Sequence, residues 1–365
     1  MKHRLKKVSD QVIVITGASS GIGLATARMA ASRGARVVAV ARNEEALREI
    51  CRDIRSSGGD ALHVVADVGN EGDLRRVSQE AISRYGGFDT WVNNAGVSTY
   101  GKLEDVPIED ARRIFETNFW GVVYGSAIAV ENLRSRGGAL INVGSVVSDT
   151  AVPLQGFYSA TKHAVKGYTD ALRMEIEHDK LPVSVTLIKP GAIDTPYTQH
   201  AGNYLGEKPT HTPPVYHPDL VAEAILHAAE NPVRDLLVGG GAKLMSTMAR
   251  YAPRLNDKYM EKIFIPGNYS GKPVQSPHDG VHQPSTLSGE VRGDYEGMVR
   301  RASGYTSAAM HPLLAGAVGL GASLALAALV RNNQRTSSSR TGFDARSEVE
   351  TTTSSSPRET TDVSI

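Results

Sequence analysis

Cysteine is nearly absent from this 365-residue chain, which contains only Cys51. A single cysteine excludes an internal disulfide framework and any metal cluster built on cysteine. Cys51 lies in a helical pattern, EALREICRDI, where we expect a small packing side chain. The 11 histidines show no ligand spacing such as HExxH, so we expect no catalytic metal.

An excess of one charge and an export signal are also missing. The chain carries 40 lysines and arginines against 39 acidic residues, whereas a nucleic-acid-binding protein normally shows a basic excess on one face. We therefore expect no nucleic-acid partner. Residues 1–10 are basic, but the apolar run that follows is too short for a signal-peptide core and suits a strand. We interpret residues 1–10 as a solvated basic leader.

Strand and helix patterns alternate over residues 11–264. This alternation predicts an α/β fold, a Rossmann-like doubly wound parallel sheet with helices on both faces. The predicted strands are residues 12–16, 36–41, 62–67, 90–93, 139–143, 184–189 and 236–238. The predicted helices are residues 21–33, 44–56, 71–85, 108–133, 157–177, 218–229 and 242–264. Several strands are apolar at every position, as expected of strands buried on both faces.

The composition changes after residue 264. Residues 265–311 are rich in Gly, Pro, Ser and charge and indicate a linker or arm, and residues 331–365 are rich in Ser and Thr and indicate disorder. Between them, residues 312–330 contain no charged side chain. A helix of that length spans ~28 Å, close to the ~30 Å hydrocarbon core of a bilayer. We predict a single-pass C-terminal anchor with the catalytic domain facing the cytoplasm; the alternatives are a buried or dimer-packing helix and a cytoplasmic protein.

A glycine-rich turn, TGASSGIG at residues 16–23, joins the first predicted strand to the first helix. Gly17 permits a tight turn at the strand end. Gly21 and Gly23 let the backbone approach a pyrophosphate, and the helix N-terminus offers unpaired N–H groups. A turn without a ligand is the alternative, but the position between an apolar strand and an amphipathic helix favours a dinucleotide.

The spacing TGxxxGxG resembles the short-chain dehydrogenase/reductase family, and the resemblance extends over about residues 10–240. Three further motifs carry it: NNAG at residues 93–96, the Asp67-Val68 pair, and Pro190-Gly191 with Thr195 shortly after. The resemblance implies a cofactor site formed by Gly17, Ser19, Ser20, Gly21, Ile22, Gly23, Arg42, Asp67, Val68, Asn94, Ala95, Gly96, Tyr158, Lys162, Pro190, Gly191, Ile193 and Thr195.

The end of the second predicted strand bears on the choice of cofactor. A site specific for NAD places an acidic residue there, which would repel a 2′-phosphate. This chain has Ala41 followed by Arg42, whose guanidinium suits a phosphate. Ser20 stands where relatives that prefer NADP often have a second basic residue. We predict NADP(H), with NAD(H) and a merely solvated Arg42 as the alternatives.

Tyr158 and Lys162 are four residues apart in a helical pattern and therefore share one face. An unperturbed tyrosine, with a pKa near ~10, is a poor proton donor or acceptor at neutral pH, and a nearby ammonium lowers that pKa. Ser145 and Asn118 match the family's two other catalytic positions. The resemblance implies that Tyr158 donates the proton, Ser145 polarises the carbonyl, Lys162 lowers the tyrosine pKa and binds ribose, and Asn118 holds a water.

These features together predict an NADP(H)-dependent carbonyl reductase or alcohol dehydrogenase acting on a hydrophobic ketone or aldehyde. A 3-oxoacyl-thioester reductase is the alternative within the same chemistry. A catalytically silent NADP-binding regulatory protein is the alternative of another class. The resemblance further implies a homodimer or homotetramer.

Overall fold

The computed structural model describes residues 4–274, 280–284, 289–317 and 323. The chain divides into two compact units, Met1–Met310 and His311–Ile365. The first unit contains the sheet, the helices that cover it and the segments that follow them up to Met310. In the second unit, the described residues 312–317 are helical.

Seven parallel strands form the central sheet, namely β1 Val12–Thr16, β2 Arg36–Ala41, β3 Asp60–Val65, β4 Thr90–Asn93, β5 Gly138–Val143, β6 Val183–Pro190 and β7 Asp235–Val238. Their spatial order is β7-β6-β5-β4-β1-β2-β3. The strand order reverses between β3 and β4, so β1 and β4 lie side by side at the point where such sheets bind ligands beyond their carboxyl ends. The predicted Rossmann-like sheet is confirmed.

The helices are α1 Gly21–Ser32, α2 Glu44–Ser56, α3 Glu71–Tyr85, α4 Ile108–Phe115, α5 Gly121–Arg136, α6 Gly156–His178, α7 Tyr197–His200, α8 Pro218–Glu230, α9 Gly240–Tyr251, α10 Pro253–Tyr259, α11 Ile265–Gly267 and α12 Gly304–Met310. Small sheets outside the core pair Thr99–Tyr100 with Gly202–Asn203, Glu207–Pro209 with Tyr269–Pro273, and Val215–Tyr216 with both Ala192–Ile193 and Val299–Arg300.

Alternate residues of the strands supply two cores, one on each face of the sheet. Ile13 and Ile15 of β1 pack with α1, α2 and α8, whereas Val12 and Val14 pack with α3, α5 and α6. Burial on both faces explains the unbroken apolar runs in the sequence.

Two predicted helices are interrupted. A π-helical turn, Glu116–Trp120, separates α4 from α5 within the predicted helix 108–133. The predicted helix 242–264 breaks at Ala252, because Pro253 has no N–H to continue the ladder and instead begins α10.

The N-terminal leader is more ordered than the sequence suggested. Val8, in the short 3₁₀ turn Val8–Asp10, is 2% exposed and joins the core. The Lys6 ammonium pairs with Asp89 at 2.6 Å. Val8 and Lys6 therefore attach residues 4–10 to the domain, while Arg4, Lys7, Ser9 and Asp10 remain exposed to solvent.

The predicted membrane anchor, residues 312–330, falls outside the described residues except for 312–317 and Ser323, and it stays a prediction. Among the residues that the structure describes, no helix has both the length and the apolarity needed to cross a bilayer. The predicted disordered tail, 331–365, lies wholly outside the described residues.

Candidate active site

The glycine-rich turn follows β1 and leads into α1 at the carboxyl edge of the sheet. Gly17 has φ +67°, a left-handed conformation, and a Cβ there would lie 2.8 Å from the Ala95 Cα. A Cβ on Gly23 would lie 2.0 Å from the Gly17 carbonyl oxygen. The turn, the start of α1 and the NNAG loop therefore pack closer together than side chains would permit.

Two adjoining cavities open at this edge of the sheet. The turn cavity, about 200 Å³, is lined by most of the predicted cofactor residues, namely Gly17, Ser19, Ser20, Gly21, Ile22, Arg42, Asp67, Val68, Asn94, Ala95, Gly96 and Thr195. The apolar cavity, about 410 Å³, is lined by the remaining ones except Gly23, namely Tyr158, Lys162, Pro190, Gly191 and Ile193. Both cavities are bordered by Ile22, Asn94, Gly96, Thr195 and Tyr197.

Gly23 lines neither cavity, although the sequence predicted that it admits a pyrophosphate. The absence of a side chain at Gly23 lets α1 pack closely against the turn, because a Cβ there would overlap the Gly17 carbonyl oxygen. Gly21 does line the turn cavity, and its N–H donates to the Glu290 carbonyl at 2.9 Å.

Arg42 and Asp67 face the turn cavity with their side chains already engaged. The Arg42 guanidinium donates to the backbone carbonyls of residues 280–283 at 2.7–3.2 Å. Asp67 accepts from the Gly69 N–H at 2.9 Å and pairs with Arg113. The sequence placed Arg42 in the cofactor site but did not reveal these backbone partners, which come from a segment about 240 residues further along the chain.

Ser145, Tyr158 and Lys162 line the same wall of the apolar cavity. Ser145 follows β5 and accepts the Val147 N–H at the start of a 3₁₀ turn. Tyr158 lies in the first turn of α6, and Lys162 follows one turn later with its Nζ 5.6 Å from the Tyr158 ring centre. The Lys162 ammonium donates to the Val143 carbonyl at 2.8 Å, which ties α6 to the end of β5.

Burial changes the acidity of the two titratable groups in opposite senses. It raises the pKa of Tyr158, while the neighbouring Ser145 and Tyr197 hydroxyls act to lower it. Burial lowers the pKa of Lys162 to about 8, because the ammonium is desolvated. A partly buried phenol beside a lysine whose pKa is lowered to about 8 is a pair suited to proton transfer.

Asn118 lies behind this wall, in the π-helical turn, and is fully buried. Its amide accepts from the Val97 N–H at 2.8 Å and donates to the Val97 carbonyl and the Thr161 hydroxyl. It therefore links the loop after β4 to α6 beside Lys162. It lines neither cavity.

A second tyrosine stands beside Tyr158 and was not among the predicted site residues. The Tyr197 ring meets the Tyr158 ring edge-on at 5.5 Å between centres, and its hydroxyl donates to Gln155 Oε1 at 3.0 Å. Tyr100 contacts the other side of Tyr197 at 6.3 Å. The position of Tyr197, two residues after Thr195 in the PG…T element, was the available signal.

The rest of the cavity lining is largely apolar. It includes Val146 and Val147 of the 3₁₀ turn after β5, Val152 of the loop that follows, Leu244, Met245 and Met248 of α9, Tyr259 of α10 and Phe264 of the helical turn after α10. His211 also lines the cavity, and burial lowers its pKa to about 4, so the imidazole is neutral at pH 7. Among the described residues that line this cavity, Lys162 is the single cation and no carboxylate is present.

The arm, defined here as residues 280–284 and 289–294, contacts the turn cavity along its outer side. Gly280 and Pro284 line the cavity, and the Gly289 N–H donates to the Ser19 carbonyl at 2.8 Å. Sequence composition identified an arm or linker in this region but gave no indication that it returns to the glycine-rich turn.

The turn cavity fits a dinucleotide in the chemistry of its lining. The α1 N-terminus directs backbone N–H groups and the positive end of its dipole toward the turn, and the close approach at Gly17 leaves room where side chains would otherwise stand. The cavity then continues past Thr195 to Tyr158 and Lys162.

The family model described as short chain dehydrogenase matches residues 11–204, more than half of the chain. The chain belongs to the short-chain dehydrogenase family. An uncharacterized oxidoreductase, YxnA of Bacillus subtilis, is 50% identical over 320 residues, which cover 87% of this chain and 90% of the relative. An 11-beta-hydroxysteroid dehydrogenase A of Sesamum indicum is 38% identical over 203 residues, 55% of this chain and 58% of the relative.

Solved structures of short-chain dehydrogenases share the fold. An alcohol dehydrogenase from Thermococcus sibiricus complexed with 5-hydroxy-NADP is 28% identical, with a TM-score of 0.56 over 62% of this chain and 95% of that one. A Burkholderia phymatum enzyme in complex with NAD is 23% identical, with a TM-score of 0.61 over 70% of this chain and 96% of that one. This short-chain dehydrogenase is thus an oxidoreductase acting on CH–OH or C=O groups, of a fold that binds nicotinamide dinucleotides.

Proposed function

We propose that this protein is an NADP(H)-dependent carbonyl reductase, reversible as an alcohol dehydrogenase, that acts on a hydrophobic ketone or aldehyde. The observation that carries the proposal is the position of Ser145, Tyr158 and Lys162 on one wall of an apolar cavity that adjoins the glycine-rich turn. The roles proposed for these residues are those that the family resemblance implies.

In the reducing direction, Tyr158 donates its proton to the carbonyl oxygen, and Ser145 donates a hydrogen bond to the same oxygen. The nicotinamide supplies the hydride when it is bound. Lys162 stabilises the resulting phenolate by its positive charge and binds the ribose hydroxyls. Asn118 holds the loop after β4 against α6, so that Lys162 keeps its position beside Tyr158. A water held by Asn118 that links Lys162 to solvent remains part of the proposal.

The preference for NADP(H) over NAD(H) is proposed from the end of β2. No acidic side chain stands at Ala41, Arg42 or Asn43, and Arg42 adds a positive charge to the turn cavity. The Arg42 guanidinium must then bind both the arm carbonyls and a 2′-phosphate. Its hydrogen bonds to the phosphate are expected to be stronger than those to the carbonyls, because both partners are then charged.

The ratio of NADPH to NADH affinity in Arg42 variants tests this preference. We expect Arg42→Ala to lower the ratio about tenfold or more, because a hydrogen bond to a charged group contributes about 1.5–3 kcal/mol. Arg42→Lys keeps the charge and should retain most of the ratio. Loss of arm contacts affects both cofactors alike and cancels in the ratio. A ratio equal to that of the unsubstituted protein in Arg42→Ala would exclude Arg42 from cofactor choice.

The substrate class is proposed from the lining of the apolar cavity. Its aliphatic and aromatic wall suits a neutral, hydrophobic ketone, and its volume of about 410 Å³ lies within the ~300–1,000 Å³ range of small-molecule sites. The similarity to an 11-beta-hydroxysteroid dehydrogenase points in the same direction. The described residues that line this cavity include no arginine that could bind the anionic carrier of a thioester. A 3-oxoacyl-thioester reductase is therefore the weaker candidate.

Turnover with a panel of carbonyl compounds tests the reaction class. NADPH consumption is to be followed with steroid ketones, cyclic and aromatic ketones, aldehydes and a 3-oxoacyl thioester. We expect the fastest turnover with bulky neutral ketones. Tight NADPH binding with no turnover of any compound would instead support the catalytically silent regulatory protein.

A homodimer is proposed from two exposed apolar side chains on the α5 and α6 side of the domain. Trp120, at the start of α5, is 41% exposed and stacks on Tyr124, and Met174 of α6 is 61% exposed. We expect the protein to sediment as a dimer or tetramer and Trp120→Glu to shift it toward monomer. Leu255→Glu, at a comparably exposed leucine on α10, is the matched control and should not. A monomeric unsubstituted protein would contradict the proposal.

A further inference from the structure

The arm contacts residues in and around the turn cavity at three successive places. At the first, residues 280–284, Val281 is fully buried and the His282 imidazole contacts Asp110 of α4 at 2.9 Å. The Arg42 and Arg113 guanidinium groups donate to the carbonyls of this segment, the Arg113 Nε reaching the Val281 oxygen at 3.4 Å. Arg113 also pairs with Asp67, so the segment lies at the end of the cavity bordered by the Asp67-Val68 pair.

The second contact is on the glycine-rich turn itself. The Gly289 N–H donates to the Ser19 carbonyl at 2.8 Å, and the Glu290 carbonyl accepts from the Gly21 N–H at 2.9 Å. These two reciprocal bonds hold the arm backbone alongside residues 19–21. They involve main-chain groups, which a change of side chain does not remove.

The third contact is an ion pair between a buried carboxylate and a half-exposed guanidinium. Asp194 is 0% exposed, and the Arg292 Nε donates to its Oδ2 at 2.7 Å. A carboxylate buried to this extent needs a partner, because burial without one penalises its charge. Asp194 directly precedes Thr195, which borders both cavities. The arm is thereby fixed at the junction of the two cavities.

From these contacts we propose that the arm is a further wall of the dinucleotide site, so that the adenosine and phosphate end of the cofactor enters and leaves only when the arm detaches. The inference rests on the proposed function in one respect, the binding of a dinucleotide in the turn cavity. The ligand class is a dinucleotide whose phosphates meet the turn and whose adenosine lies under residues 280–284. The sheet, α1 and the NNAG loop form the other walls.

The ion pair and the His282 contact provide the test, because neither side chain lines a cavity. We would measure NADPH release from the full-length protein by trapping with excess unlabelled cofactor, in Arg292→Ala, in His282→Ala and in the double variant. Lys272→Ala is the matched control: it also removes a positive charge, from a pair with Glu296 in which both side chains are largely exposed. Backbone hydrogen exchange at Gly289 and at Gly21 reports detachment of the arm independently of activity.

We expect both single variants to release NADPH about tenfold faster or more, the double variant to release it faster still, and Lys272→Ala to behave as the unsubstituted protein. Bound NADPH should slow exchange at Gly289. His282→Ala keeps the test valid where Arg292→Ala fails to fold. Equal release from the double variant and from Lys272→Ala would overturn the inference. A protein that binds neither NADPH nor NADH would overturn the proposed function instead.

Discussion

Tyr158→Phe is expected to lower kcat for ketone reduction by about 10²- to 10⁴-fold, the range that a positioned proton donor contributes. The substitution removes one hydroxyl from a partly buried ring and leaves the ring contacts with Tyr197 and the fold in place. Tyr158 is also among the predicted cofactor residues, so the affinity for NADPH should fall as well, but by a much smaller factor than kcat. Steady-state kinetics together with NADPH fluorescence titration measure both quantities.

Tyr168→Phe is the matched control for this substitution. Tyr168 lies on the same helix, α6, and its hydroxyl meets the Val123 carbonyl at 3.5 Å and the Ser126 side chain, outside both cavities. It should retain activity. Equal activity of Tyr158→Phe and Tyr168→Phe would remove Tyr158 from the mechanism.

Lys162→Met is expected to have the second large effect, a loss of kcat of about 10²-fold or more together with weaker NADPH binding. The lysine is proposed to have two roles, stabilising the phenolate and binding ribose, so both constants should change. Lys166→Met is the control. Lys166 lies one turn further along α6, pairs with Asp170 at 2.8 Å and touches neither cavity. Near-normal kcat in Lys162→Met would contradict the assignment.

The pH dependence of Lys162 has opposite signs for activity and for stability. Its pKa is lowered to about 8 by burial, so activity in the protein should fall as pH rises through about 8 and the ammonium is lost. In the cofactor-free protein, the unfolded chain still binds that proton up to its ordinary pKa near ~10.4. Unfolded protein therefore binds more protons between these values, and the stability of the unsubstituted protein relative to Lys162→Met should rise with pH there. Denaturant unfolding at pH 7.5 and 9.5 measures the difference.

Local sequence was enough to predict the sheet, because each strand of the sheet is a short apolar run bounded by turn residues. Residues 12–15 face the two cores alternately, and this arrangement requires only that the strand be buried on both faces. No contact with a distant part of the sequence is needed to predict it. The break at Pro253 was also visible as a residue type, but the long apolar pattern around it favoured one continuous helix.

The motifs near the sheet edge were predictable for the same reason: Ser145, Tyr158 and Lys162 lie in short segments whose position after a strand or on a helix fixes where they point. The partners of Arg42 were not. They are backbone carbonyls of residues 280–283. Every residue has such a carbonyl, so the sequence does not indicate which of them bind a side chain. The same holds for Gly23, whose close neighbour is the Gly17 oxygen and not a ligand.

The pair of buried Asp194 and half-exposed Arg292 could not be predicted from the sequence. Neither residue lies in a recognisable motif, and 98 positions separate them along the chain. Their contact depends on the path of the arm across the folded domain, which composition alone described as a linker. Tyr197 is an intermediate case, since its place after Thr195 was visible but its contact with Tyr158 required the fold.

The most direct test of the central claim is the transfer of deuterium to a neutral, bulky ketone from NADPH that carries deuterium at both hydrogen positions of nicotinamide C4. The account predicts an alcohol product that carries deuterium on the carbinol carbon, formed by the unsubstituted protein and Tyr168→Phe and nearly absent with Tyr158→Phe. Product without deuterium on that carbon, or equal labelling by Tyr158→Phe, would contradict it.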